Sequence, residues 1–162
     1  MFQEYSEIEI QKSGWIEIIT GSMFSGKTEE LIRRIQISEI SEPNVKVFKP
    51  KVDNRYAEDE IVTHSKVSIK CISVESSSEL FRMARNSKIV GIDEAQFFDE
   101  GIIKVCNDLA NMGIRVIVAG LDMDFLGNPF GPMPNLMAVA EFVTKVHAKC
   151  SKTGELANFS HR

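Results

Sequence analysis

The chain has 162 residues, 43% of them hydrophobic, the size of one compact domain with a buried core. Its 19 basic and 23 acidic residues leave a net charge of −4, which excludes a broad electrostatic footing on nucleic acid, so any phosphate must be met locally. No apolar run reaches the roughly 18 to 20 residues that span a bilayer, and three scattered cysteines, Cys71, Cys106 and Cys150, read as reduced thiols of a cytoplasmic protein.

The N-terminal stretch lacks the basic-then-apolar plan of a signal peptide. A first strand is predicted over "WIEIIT", residues 15–20. After "GSMFSGKT" comes a helix with Leu31, Ile32, Ile35 and Ile37 on its apolar face. Strands follow over 45–50 and 67–74, separated by the polar excursion 51–66. Ser77 or Ser78 can cap a helix that runs to about Arg85. Another strand, 88–93, leads into a helix that carries Ile103, Val105, Cys106, Leu109 and Met112 before a glycine stop. Strands over 114–120 and 142–149 flank an irregular loop, 122–135, which holds three of the five prolines. Met133 and Met137 are expected to pack a helix against a neighbour. Strands alternating with helices predict an α/β fold, a parallel sheet covered on both faces.

The chemistry begins at "GSMFSGKT", which matches GxxxxGK[ST] and lies between a predicted strand and a predicted helix, the context this phosphate-loop motif requires. Its glycines let backbone N–H groups wrap a phosphate at the positive end of the helix. Lys27 can reach the β- and γ-phosphates of ATP, and the Thr28 hydroxyl can ligate Mg²⁺. A second apolar strand, "KIVGIDE", delivers Asp93 to the carboxyl edge of the sheet, where it can orient Mg²⁺. Glu94 is then available to accept a proton from an attacking oxygen. The two acids alone leave open whether that oxygen belongs to water or to an acceptor alcohol. Phe97 and Phe98 follow closely, so at least one is expected near the acceptor, where an aromatic face suits a planar base.

The motifs "GSMFSGKTEELIRR", "FKPKVDNRY", "VTHS", "GIDEAQFFD", "AGLDMDFLGNPFGPMPNLMAVAE" and "VTKVHAKC", in that order over residues 14–162, resemble the type II, tetrameric thymidine kinases. That resemblance implies a RecA-like phosphate-loop fold and ATP-dependent phosphorylation of the 5′-hydroxyl of thymidine or deoxyuridine by a homotetramer. It implies ATP binding by Gly21, Ser22, Met23, Phe24, Ser25, Gly26, Lys27 and Thr28, together with Asp93, Glu94, Ala95 and Gln96. Glu94 corresponds to the general base, with Lys27 and Arg55 beside the transferring phosphate and Asp53 joining Thr28 and Asp93 toward Mg²⁺. Phe97 corresponds to the ring against which thymine packs. Met23, Leu121, Phe125 and Phe130 correspond to apolar walls of the base pocket, and Ser160 and Arg162 to further nucleoside contacts. His64 is read as structural.

Members of that family carry a zinc-bound subdomain made from two CxxC-type pairs, with a loop between them that closes over the nucleoside. Here "CSKT" offers Cys150 but places Thr153 at the second cysteine position, and a lone cysteine does not make a tetrahedral zinc site. No zinc is therefore expected, with His147 and His161 the nearest alternative ligands. The expected organisation is a nucleoside kinase domain over 1–148 and the start of a C-terminal lasso subdomain over 149–162, as in a shortened form of a longer enzyme. Two competing readings stand beside the kinase: a phosphate-loop ATPase acting on nucleic acid, and a nucleotide-binding module without turnover.

Overall fold

A computed structural model of the chain describes residues 14–52, 60–62, 68–149 and 156–157. At its centre is a six-stranded sheet in the order β5-β2-β6-β7-β1-β8. The strands are β1 (Trp15–Gly21), β2 (Val45–Pro50), β5 (Ile72–Val74), β6 (Ile89–Ile92), β7 (Arg115–Leu121) and β8 (Phe142–Val146), and every pairing between them is parallel. The connecting helices are α1 (Lys27–Glu39), α2 (Ser77–Ala84), α3 (Gly101–Asn111) and α4 (Met133–Val139). The α/β expectation therefore holds.

Central strands in such a sheet are buried on both faces, which is why β1, β6 and β7 read as nearly unbroken runs of Ile and Val rather than as alternating patterns. Ile16, Ile18, Val90, Ile92, Val116 and Val118 face one layer, where Leu80 of α2 and Ile102, Cys106 and Leu109 of α3 pack. Ile19, Ile117, Ala119 and Val47 face the other, against Leu31, Ile32 and Ile35 of α1. Gly91 in β6 is small for a packing reason: a Cβ there would lie 3.1 Å from Ile35 Cδ1 and 3.3 Å from a Val47 methyl.

Several local expectations need correction. The stretch 67–74 is two strands. β4 (Ser68–Lys70) pairs antiparallel with β3 (Glu60–Val62) in a separate hairpin, and only β5 joins the main sheet. Likewise 142–149 divides into β8 and the short β9 (Ala148–Lys149), which pairs with β10 (Leu156–Ala157). The cap of α2 is Ser76, whose hydroxyl accepts from the Glu79 N–H at 3.2 Å. Ser77 is engaged elsewhere, donating from its N–H and its hydroxyl to Asp99 at 2.9 and 2.6 Å. Ile37 is exposed, because the buried face of α1 turns to Ser38 at its last turn.

The amino end of the sheet is clamped by charge. The carboxylate of Glu17, itself buried, accepts from Arg115, from Arg34 at 3.1 Å and from the Trp15 indole at 2.7 Å. Burial alone would raise its pKa, but these donors outweigh it and hold the carboxyl below its ordinary range. The carboxyl end, where β1 and β6 terminate, carries the candidate site. No helix among the described residues is long and apolar enough to cross a membrane.

Candidate active site at the carboxyl edge of the sheet

β1 ends at Gly21, whose backbone runs so close to β8 that a Cβ would lie 2.1 Å from the Val146 carbonyl oxygen. The chain then turns through Phe24 (φ 60°) and Gly26 (φ 89°), both left-handed, and enters α1. Phe24 is a strained position for a residue with a side chain, and such strain is characteristic of ligand-binding turns. Gly26 supplies no side-chain cap, so the first N–H groups of α1 are left for an anion at the positive end of the helix. Lys27 Nζ donates to the Ser22 carbonyl at 2.6 Å, folded across the loop.

Asp93, the first residue past β6, is 7% exposed. Its Oδ2 accepts from the Thr28 hydroxyl at 3.4 Å and its Oδ1 from the Glu94 N–H at 2.9 Å. Burial pushes its pKa up, to about 6, with the Glu94 charge adding to the rise and Lys27 opposing it. Burial lowers the pKa of Lys27 in turn, while the charges of Asp93, Asp122, Glu29 and Glu94 work against that fall. The site is thus an ammonium set among carboxylates in a partly dry cleft, an arrangement that gains from a polyphosphate and a divalent cation arriving together.

Glu94 adopts the left-handed conformation (φ 51°, ψ 42°) and opens a short 3-10 turn over Ala95–Phe97. This tight turn separates the two phenylalanines. Phe98 is buried in the core under α3, whereas Phe97 is 40% exposed and meets Phe130 edge to face, with ring centroids 5.4 Å apart and planes at 89°. Leu121, at the end of β7, is half-buried, and Met23 and Phe125 expose about half their surface, 46% and 52%. The loop after β7 is ordered by Asp124, whose Oδ1 accepts the N–H groups of Leu126 and Asn128 at 2.9 and 3.0 Å. Phe130 is anchored through its N–H to the Asp122 carbonyl at 3.0 Å.

The phosphate loop, Asp93, Glu94 and the Phe97–Phe130 pair thus stand along one edge, the Ala95 side chain is buried beneath the turn, and the Gln96 side chain is buried against the end of β7. Asp53, Arg55, His64, Cys150, Thr153, Ser160, His161 and Arg162 lie outside the described residues. Sequence reasoning passed over Asp122, a buried carboxylate just past β7 whose Oδ2 pairs with Lys145 of β8 at 2.9 Å across the strand that feeds the phosphate loop. Its signal was its place two residues beyond the predicted strand 114–120, at the same edge as Asp93.

The sequence profile of a family described as "Thymidine kinase" matches residues 14–162. A curated protein named thymidine kinase from Bacteroides thetaiotaomicron is 55% identical over 162 residues, covering all of this chain and 81% of that protein. A namesake from Bacteroides fragilis is 54% identical with the same coverage. Among solved structures, the genome packaging NTPase B204 from Sulfolobus turreted icosahedral virus 2, in complex with sulfate, resembles the fold with a TM-score of 0.51 at 14% identity, over 86% of this chain and 77% of that one.

Proposed function

The chain belongs to the thymidine kinase family and is an ATP-using enzyme that phosphorylates thymidine in nucleotide salvage; from that premise we propose which residues carry the transfer. The observation that supports it is one short turn carrying both Glu94, whose charge acts on Lys27 of the phosphate loop, and Phe97, whose ring meets Phe130.

In this reading the loop from Gly21 to Thr28 holds the phosphates of ATP, with Lys27 leaving the Ser22 carbonyl to meet the β- and γ-oxygens. Thymine lies against Phe97, walled by Met23, Leu121, Phe125 and Phe130, and the 5′-hydroxyl is directed toward Glu94. Glu94 takes the hydroxyl proton as the oxygen bonds to the γ-phosphorus and the bond to the β–γ bridging oxygen breaks, leaving ADP and thymidine monophosphate. Holding the oxygen in line and excluding water favours this acceptor over hydrolysis.

The residues suit Mg²⁺. The Thr28 hydroxyl and the Asp93 carboxylate stand 3.4 Å apart at the root of the loop, hard oxygen donors of the kind the ion takes, and burial makes the Asp93 charge costly without a cation. Asp53 is assigned as a further ligand and Arg55 as a contact to the transferring phosphate. Mg²⁺ supplies neutralisation of charge on the phosphate oxygens.

We include deoxyuridine as a further acceptor on the family resemblance, and assign Ser160 and Arg162 to the nucleoside. We assign no zinc to the chain, given Thr153 opposite Cys150. A cytoplasmic homotetramer completes the reading. Self-association is in keeping with the exposed Phe142 and Val143 on the outer strand β8 and Ile37 and Ile40 at the end of α1, while the fourfold state and the location rest on the family resemblance. The net charge of −4 supports the absence of a nucleic-acid partner. The pocket assignment is tested with Phe97→Ala, where the expected result is a rise of roughly tenfold in KM for thymidine with KM for ATP unchanged. Unchanged thymidine kinetics would remove Phe97 from the pocket.

A further inference from the structure

We infer that Gln96 is a positioning residue for the nucleoside pocket, its buried side chain acting as the tie that sets Leu121 at a fixed distance from the turn that carries Glu94 and Phe97. The inference rests on the pocket reading above and deepens it.

The observations converge on one side chain. The last residue of β6 to pair with β7 is Ile92, opposite Val118, yet β7 continues through Leu121. The Leu121 N–H is accepted by Gln96 Oε1 at 3.0 Å, so a side chain from the turn after β6 extends the tie between the two strands past the end of their ladder. The residue is 5% exposed, and the two glycines around it leave no slack. A Cβ on Gly120 would lie 3.0 Å from Gln96 Oε1 and 2.7 Å from Met133 Sδ. A Cβ on Gly131 would lie 2.4 Å from the Gln96 carbonyl oxygen, and Gly131 takes φ 51° to make that approach. Gly131 follows Phe130, which meets Phe97, the residue next to Gln96. The side chain thus ties the turn with Glu94 and Phe97 to the end of β7 with Leu121, while the main chain of the same residue packs closely against the loop with Phe130.

A pocket whose walls come from three segments selects its occupant only if the segments keep their spacing, and positional errors near an ångström are costly to a reacting geometry. The family resemblance counts Gln96 among the ATP-binding residues, but its side chain makes no described hydrogen bond to the phosphate loop or Lys27, so in this inference its removal is felt at the nucleoside and not at ATP.

The test is steady-state kinetics, varying ATP and thymidine separately, on the unmutated chain, Gln96→Met, Gln96→Glu and Phe97→Ala. Met keeps the length of the side chain and loses the acceptor, whereas Glu keeps an acceptor oxygen. For Gln96→Met, KM for thymidine should rise roughly five- to tenfold with KM for ATP within about twofold, and Gln96→Glu should recover most of the loss. Both KM values rising together, or neither moving, would overturn the inference. If Phe97→Ala raises the thymidine KM while Gln96→Met does not, the inference fails alone; if Phe97→Ala has no effect, the pocket reading beneath it fails. In the unmutated chain the Leu121 amide should exchange slowly with solvent, and fast exchange there would overturn the inference without any variant.

Discussion

Asp93→Asn should make the nucleotide-free protein more stable while removing its activity. The reason lies in where the charge sits. Burial raises the Asp93 pKa from its ordinary 3.8 to about 6. At roughly 1.4 kcal/mol per pH unit, keeping the group ionised at neutral pH costs about 3 kcal/mol of folding stability. The pKa of about 6 already includes the attraction to Lys27; Asn keeps the shape without the charge, but its amide fits the Glu94 N–H and Thr28 hydroxyl donors less well than a carboxyl, so a net gain of about 1 to 2 kcal/mol is expected, or roughly 3 to 6 °C in Tm. The sign follows from linkage. Between the unfolded pKa and about 6 the folded state binds more protons, so the stability of the unmutated protein falls as pH rises through that window and is flat above it. Thermal melts from pH 4 to 8 in EDTA without nucleotide should show that slope in the unmutated protein and a flatter profile in the variant. The variant should also lose phosphoryl transfer to thymidine. Equal or lower stability of Asp93→Asn at pH 7.5 would refute the argument that this carboxylate is held at a cost to the fold.

Other consequences are simpler. Glu17→Gln leaves Arg34 and Arg115 without their shared carboxylate at the amino end of the sheet, and should cost about 2 to 4 kcal/mol in urea denaturation while leaving both KM values in place. Gly131→Ala forces a Cβ against the Gln96 carbonyl at positive φ, and should lower stability by roughly 1 to 2 kcal/mol and raise KM for thymidine. Cys106, fully buried with its thiol pushed up to about 12, should resist alkylation at pH 8 by mass spectrometric mapping until the protein is denatured.

What could be read from the sequence follows the range of the physics involved. The phosphate loop, Asp93 and Glu94 were legible because each is set by a strand end and by residues adjacent in the chain. The sorting of Phe97 from Phe98 was not, since it depends on the left-handed backbone at Glu94, which residue types alone do not dictate. Gln96 and Asp122 were missed as structural ties because their partners, Leu121 and Lys145, are brought close only by the strand order β6-β7-β1-β8. The split of 67–74 at Cys71 was likewise hidden: Ile69 and Ile72 look alike in sequence but belong to different sheets. The cap of α2 moved to Ser76 because Asp99, more than twenty residues away, takes Ser77.

The central claim is that Glu94 accepts the proton of the nucleoside hydroxyl. Its most direct test is transfer of labelled γ-phosphate from ATP to thymidine by the unmutated chain and by Glu94→Gln, with ATP affinity measured in parallel. The account predicts that the Gln variant binds ATP as before and loses at least about a hundredfold in formation of thymidine monophosphate. A variant that still makes the monophosphate at near the unmutated rate, or an unmutated chain that hydrolyses ATP without phosphorylating thymidine, would contradict it.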